Sequence, residues 1–392
     1  MMHVQLQSLV NGNGVATKDG CGTGPSKEID VISYCLSHLT PSSPDFEEHK
    51  KTLEKELATY KADVYCFQNA EPDCQTFLRD LLKKQACTFS TISGSNLIAF
   101  QLDTLTLLSQ HRVSALDFAK QVVTQCAYPA SWCRSIQAAL ACSHFDEMLV
   151  TVLMHKATNQ VILVASHSLN KKEVRPDITA LNITGALWSL ARIWQEQNLP
   201  TNRNGQTKNG CEINGHPKPG VTSPRWLLCG PFNASERSPI YQLARDGYPN
   251  DITLDRLRCL KNINLPSHVS LHVPPIDPEL KDTEQEEDCS GFKNKALIDL
   301  LWNAFQHPCT DVTSCYQAVV GREPPFTRLT CDRKTTTGPR DYIWCSGTTL
   351  QPHTVLMPPC RGLASLLNGK GRMGEASAIP LMARMSLVPT CS

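Results

Sequence analysis

The sequence predicts a layered α/β sandwich in one domain, and three observations predict it. Apolar runs of strand length alternate with amphipathic helical patterns along the chain. Two of these runs, Met148–His155 and Gln160–His167, are separated only by a turn at Ala157-Thr158-Asn159, and a long helical pattern follows over Pro176–Gln197. Finally, Pro224–Tyr241, PRWLLCGPFNASERSPIY, holds an apolar run that stops abruptly at Gly230-Pro231 and leads through a polar tip into a new helical pattern. A buried strand ending at a polar tip is where layered α/β proteins carry their chemistry.

The elements follow in order. Residues 1 to about 26 contain Asn-Gly-Asn-Gly, Asp-Gly-Cys-Gly and Gly-Pro-Ser, and read as a disordered leader. Ile29–Leu36 is a first buried strand. Ser43-Pro44-Asp45 starts a helix through Tyr60 that places Leu53, Leu57 and Tyr60 on one face. Asp63–Gln68 is a second strand, and Cys74–Lys84 an amphipathic helix with Phe77, Leu78, Leu81 and Leu82 at helical spacing. Strands are predicted at Asn96–Gln101 and Thr104–Ser109, while residues 112–143 show no clear period. Residues 198–223 are rich in Asn, Gly, Lys and Pro and read as a surface insertion. The central strand 225–230 and a helix from Ser238 to about Asp246 follow. Residues 263–290, Pro-rich and then acidic, form a second insertion, and Lys293–His307 reads as a helix. Segments 326–331, 340–346, 353–357 and 378–387 read as closing strands. Strand signals resume after each insertion, so residues 27–390 are read as one domain.

Bulk properties narrow the function. A chain of 392 residues with 41% apolar content supports a sizeable core. The net charge of +1 shows no global commitment to nucleic acid or to a membrane surface. No apolar run reaches the length of a membrane span. The start, MMHVQLQSLVNGNG, lacks the basic segment and long apolar block of a secretory signal. Eighteen cysteines are scattered without a Cys-x-x-Cys pair, which leaves a zinc ribbon or thioredoxin-type site unsupported. Cys35, Cys66, Cys229 and Cys345 lie in apolar runs, where a reduced thiol packs as a small hydrophobe. The expected setting is therefore cytoplasmic or nuclear.

Several segments, in order, resemble one family. Ile32-Ser33-Tyr34-Cys35-Leu36 is similar to the Met-Ser-Tyr-Asn strand of the magnesium-dependent endonuclease/exonuclease/phosphatase superfamily, and Tyr60–Gln68 to its second strand, which ends Leu-Gln-Glu. Leu105–Ser109 matches the phrase that follows, and Val164–Leu169 resembles Val-Ala-Asn-Thr-His-Leu. Residues 229–241 resemble Cys-Gly-Asp-Phe-Asn-Ser with a later Ser-Pro-x-Tyr. Asp341-Tyr342-Ile343 matches the Asp-Tyr-Ile strand, and Ile379–Ala383 the stretch after a terminal Ser-Asp-His. The likeness covers roughly residues 29–389 and is greatest to the deadenylase-like branch, the Angel proteins in particular, without the leucine-rich repeat of some deadenylases. It implies a four-layer α/β sandwich: two stacked mixed β-sheets flanked by helices.

The resemblance also implies a chemistry. In the family a carboxylate holds magnesium, which polarises the phosphate. An aspartate at the central tip positions or deprotonates water. A histidine oriented by an aspartate contacts the phosphate, and asparagines complete the cradle. Carried over position by position, the first-strand asparagine is Cys35, the metal glutamate is Asn69 and the Asn-Thr-His histidine is Ser168, with His167 one place earlier on the opposite strand face. The tip aspartate is Pro231. The terminal Ser-Asp-His falls on Ala376, Ser377 and Ala378. Asn233 and Asp341 are retained.

Losing one preorganised transition-state group lowers a rate by about two to three orders of magnitude, and residues acting as a unit do not add simply. The substitutions imply a catalytically degenerate protein, a pseudo-nuclease, acting as an RNA- or protein-binding scaffold in mRNA metabolism with no bound cofactor. The alternative is an active magnesium-dependent 3′-exonuclease or RNA phosphatase of the Angel type with relocated ligands. Glu71 and Asp73, and more distantly His167 and Glu375, are the candidates for those ligands. A third reading is a damaged or alternatively spliced product with no biochemical role. Lys171, Lys172 and Arg175, with Lys370 and Arg372, are basic groups suited to a phosphate backbone. Expected partners are RNA, mRNA-decay proteins or translation proteins, and no membrane. The Tyr-x-x-x-x-Leu-hydrophobic motif for the cap-binding factor is incomplete, since Tyr34 and Leu39 are followed by Thr40.

Overall fold

The computed structural model describes residues 9–11, 27–37, 39, 42, 46–90, 94–141, 147–168, 176–198, 224–259, 297–325, 327–329, 339–357 and 377–388. The chain opens with β1 (Leu9–Asn11), β2 (Glu28–Cys35), α1 (Phe46–Thr59), β3 (Val64–Gln68), α2 (Pro72–Lys83), β4 (Cys87–Ser90) and β5 (Leu97–Gln101). It continues through β6 (Leu105–Ser114), α3 (Ala115–Gln125), α4 (Ala130–Ala141), the hairpin β7 (Glu147–His155) and β8 (Gln160–His167), α5 (Pro176–Asn198), β9 (Trp226–Pro231), α6 (Pro239–Asp246) and α7 (Asp251–Cys259). After α8 (Leu297–Leu300) and a 3-10 turn at Trp302–Phe305 come β10 (Val312–Ser314), α9 (Cys315–Val320), β11 (Arg328–Leu329), β12 (Asp341–Ser346), β13 (Leu350–Leu356), β14 (Ser377–Ala378) and β15 (Leu381–Leu387).

Apart from β11 and β14, which pair with each other, these strands form the two mixed sheets that were predicted. One runs β1-β13-β15-β2-β3-β5-β4, the other β10-β12-β9-β8-β7-β6. Within each, one pair is parallel, β2 with β3 and β8 with β9, and the other pairs are antiparallel. The period-2 alternation of the central strand creates the layers. Leu227 and Cys229 face the seam between the sheets, with Val64, Cys66, Ile98, Val164, Ile343 and Ala383. Trp226 and Leu228 face outward into a second cluster with Leu163, Leu187, Trp194 and Trp344, which α3, α5 and α6 cover. On the far side, Ile32, Tyr65 and Phe67 pack beneath Leu53, Leu57, Leu78 and Leu82 of α1 and α2. Central strands covered on both faces read as unbroken apolar runs, which is why β9 is so plain in the sequence.

Local chemistry fixes the element ends. Ser114 and Ser238 cap α3 and α6 by accepting from the N–H of Asp117 and Tyr241, each at 3.2 Å. Gly247 ends α6 in the left-handed conformation at φ 82°. Gly230 sits at φ 141°, and a Cβ there would lie 2.0 Å from the His167 carbonyl oxygen, so the close approach of β9 to β8 requires glycine.

The structure corrects several expectations. Leu9–Asn11, in the predicted disordered leader, pairs with Leu356–Thr354 as an edge strand; the rest of residues 1–26 lies outside the described residues. The unassigned stretch 112–143 holds the end of β6 and then α3 and α4. Of the predicted helix 293–307, the described part from residue 297 holds α8 and then a 3-10 turn. The predicted strand 353–357 begins at Leu350, with a register shift near Pro352. The last strand is two pieces, because Pro380 cannot donate to a ladder. The insertions fall almost wholly at 199–223 and 260–296, outside the described residues.

Candidate functional site

The parallel pairs bring the C-terminal ends of β2 and β3 against those of β8 and β9 at one end of the sandwich. A polar node joins the two sheets there. The Gln68 amide, fully buried, donates to Ser33 Oγ at 3.3 Å, to the Cys66 carbonyl at 2.9 Å and to Ser166 Oγ at 3.2 Å. Ser166 Oγ in turn donates to the Phe67 carbonyl at 3.1 Å. The matched positions surround this node.

Asn69 follows β3 at φ 54°, a left-handed conformation that asparagine tolerates. Its Nδ2 donates to Cys35 Sγ at 3.4 Å, so the two residues that the resemblance set at the metal-glutamate and first-strand asparagine positions engage each other. Cys35 is buried. Ser168 is also buried; its Oγ accepts from Asn96 Nδ2 at 3.2 Å and lies 3.4 Å from Ser95 Oγ. Asn96 Nδ2 also donates to the Glu147 carbonyl at 2.9 Å.

His167 points the other way, as the one-residue shift predicts. Its ring lies 6.3 Å from that of Phe232, on the helix-covered face. It is buried, and neither ring nitrogen makes a well-formed hydrogen bond. Burial pushes its pKa down to about 4, with the nearby Pro231 backbone offsetting part of the effect. The neutral ring is packed into the core and does not face the rim.

At the central tip, Pro231 pairs with Asp341 across β9 and β12. Phe232 and Asn233 each donate a backbone N–H to the Arg340 carbonyl, at 2.7 and 3.1 Å. Asn233, at φ 47°, turns the chain away from the sheet. Asp341 is buried, and Thr327 Oγ1 donates to its Oδ2 at 2.7 Å while accepting from the backbone N–H groups of Arg340 and Asp341. Ser377 and Ala378 form β14, paired with Leu329 and Arg328. The backbone N–H of Ile379 donates to the Thr327 carbonyl at 2.9 Å, so the terminal motif position does lie beside Asp341.

The structure thus gathers Cys35, Asn69, Ser168, Pro231, Asn233 and Asp341 at one rim. Glu71 precedes α2 and Asp73 lies in its first turn, both exposed. Among the described residues, no group of three or more His, Cys, Asp or Glu side chains is arranged to hold a metal ion. Lys171, Lys172, Arg175, Lys370, Arg372, Glu375 and Ala376 lie outside the described residues. Sequence reasoning missed Gln68, Ser166, Asn96 and Thr327 as rim residues. Gln68 ends a matched strand and was open to detection; Thr327 had no signal, since its partner is fourteen residues away.

No protein-family model matches the sequence, and no curated protein matches it by sequence. Solved structures do match in shape. ANGEL2, a 2′,3′-cyclic phosphatase solved in complex with adenosine-2′,3′-vanadate, is 18% identical with a TM-score of 0.59, over 92% of this chain and 96% of that one. The human Nocturnin catalytic domain with bound sulfate is 14% identical with a TM-score of 0.51, over 92% and 94%. An endonuclease/exonuclease/phosphatase from Bacteroides vulgatus is 8% identical with a TM-score of 0.50, over 92% and 99%. Over nine-tenths of its length, then, this chain has the fold of the endonuclease/exonuclease/phosphatase proteins, Angel-type structures among them.

Proposed function

We propose that the chain is a catalytically degenerate member of this fold, a pseudo-nuclease that uses the sandwich as an RNA- or protein-binding scaffold in mRNA metabolism. One observation carries the reading: the side chain at the metal-glutamate position, Asn69, is a neutral amide whose nitrogen is directed at the Cys35 thiol. Magnesium binds through hard anionic oxygens and several waters. The matched positions offer an amide oxygen, a soft thiol, a serine hydroxyl and a proline, and the Asp341 carboxylate accepts from Thr327. This donor set does not fit the ion, and no catalytic step is derived through it. An RNA end is the favoured ligand class because ANGEL2 is described as a 2′,3′-cyclic phosphatase and was solved with an adenosine-2′,3′-vanadate.

The test is hydrolysis of a short single-stranded RNA ending in adenosines, and of the same RNA with a 2′,3′-cyclic phosphate, in magnesium or manganese. The expected result is no turnover, with RNA retained in fluorescence anisotropy. Turnover that disappears in Asn233→Ala would overturn the reading in favour of an active magnesium-dependent exonuclease or phosphatase with relocated ligands, Glu71 and Asp73 being the first to mutate. Neither turnover nor RNA retention would direct the search to a protein partner.

A further inference from the structure

We propose that Glu323 is a proton-operated latch that seats the site's tip on the sandwich, closed when its carboxyl carries a proton and eased when it does not. Glu323 follows α9 and is 5% exposed. Tyr241 Oη of α6 lies 2.6 Å from Oε1 and Ser314 Oγ of β10 lies 2.9 Å from Oε2; the protonated carboxyl donates across one of these contacts and accepts across the other, whereas the carboxylate accepts across both. The carboxyl is therefore the joint between α6 and β10. Through α6 it reaches the tip, because residues 232–238 run directly from β9 into that helix. Tyr342 of β12 fastens the same segment from below, its hydroxyl donating to the Ala234 carbonyl at 2.5 Å. Its ring stands 5.6 Å from Phe232 and 5.6 Å from Tyr241.

The groups facing Glu323 explain why the joint is sensitive to protons. They are Tyr241 on α6, Ser314 on β10, Cys315 and Tyr316 on α9, Tyr342 on β12, and Glu236 in the turn before α6. None of these is a cation. Arg245 on α6 acts on Tyr241 and is held in an ion pair with Asp246. Among the described residues, no lysine, arginine or histidine pairs with Glu323. A buried carboxyl without a cation favours its neutral form. Burial is the main cause of a pKa pushed up to about 7; the two hydroxyl donors work against the rise, and Glu236 adds to it.

Opening the joint hydrates the carboxyl and returns it to the ordinary carboxylate range. Between the two ranges the closed form holds an extra proton, so each pH unit makes opening about tenfold easier until the rise levels off above neutrality. This depends only on Glu323 and its neighbours and holds whether or not the rim is catalytic.

The test is amide hydrogen exchange of the full chain from pH 5.5 to 8.0, corrected for intrinsic rates. It is read on peptides covering 232–246, with the β7–β8 hairpin as internal reference. The opening constant of the tip peptides is expected to rise by roughly one to two orders of magnitude in the wild type and to stay flat in Glu323→Gln. A flat wild type, or an equal rise in Glu323→Gln, overturns the proposal. If Glu323→Gln does not fold, Tyr241→Phe decides: losing one donor must move the rise to higher pH, and an unmoved rise overturns the latch.

Discussion

The seam between the two sheets and the rim at their C-terminal ends use the same strands to opposite ends. In the seam, Leu227, Cys229, Ile343 and Val164 are apolar, buried and interchangeable in kind. Two residues away on the same strands, the side chains act as individuals: Ser166 spans the sheets, and the Asp341 carboxylate accepts from Thr327. Stability resides in the first region, and a set of specific but low-energy contacts in the second.

The largest effect that sharpens this comparison belongs to the core next to β9. Trp226→Ala or Trp344→Ala should lower folding stability by about 3–5 kcal/mol, since each indole is almost completely buried. Urea unfolding checks this; a loss below 1 kcal/mol would break the contrast with the rim.

The next effect is titration of the buried histidines. His167 and His307 are both pushed down to about 4 by burial, and His307 Nε2 lies 3.1 Å from each of the Leu243 and Ala244 carbonyls that end α6. Depressed histidine pKa values mean that the unfolded chain binds more protons between pH 4 and 6.5. Stability is thus full above 6.5 and falls as the pH drops to about 4, by about 3 kcal/mol per histidine. Glu323 has the opposite sign: its contribution is present below the ordinary carboxylate range and is lost as pH rises through about 7. Two groups against one leave a net gain with pH from 4.5 to 6.5, which should steepen in Glu323→Gln and flatten in His307→Gln. Melting temperature against pH separates them.

Rim changes should be smaller. Thr327→Ala leaves the buried Asp341 without its hydroxyl donor and should cost about 1–3 kcal/mol. Asn69→Ala should cost about 1 kcal/mol, because alanine resists the left-handed conformation. Either loss matching that of Trp226→Ala would place part of the fold's stability at the rim.

What the sequence made legible follows the same division. The seam strands were plain because apolar runs flanked by Gly, Pro and Asn have one reading, and Asn159, at φ 54°, turns the β7–β8 hairpin as expected. The one-residue offset of His167 was legible because strand faces alternate. The helices α3 and α4 were missed because alanine, cysteine and glutamine blur the apolar stripe. Both β10 and α9 were missed because three- and six-residue elements are too short to show a period. At the rim, the sequence gives no sign of which neighbours these residues engage. The Asn69–Cys35 and Asp341–Thr327 contacts depend on how separate strand ends converge, and no local pattern encodes that. Glu323, in Gly-Arg-Glu-Pro-Pro, carries no sequence signal that sets it apart.

The strand order bears on how the chain is made. In the seven-stranded sheet, β15 lies between β13 and β2, pairing Leu381 with Ser33 and Ser386 with Glu28. The ribosome therefore delivers β2 roughly 350 residues ahead of this neighbour. At ordinary translation rates the open edge of β2 waits roughly 20–70 s for that partner. Until it arrives, the edge of β2 that β15 will cover has no ladder partner in the folded order of this sheet. A nascent chain arrested before residue 381 should remain protease-sensitive around β2, and should lose that sensitivity once synthesis resumes and β15 inserts.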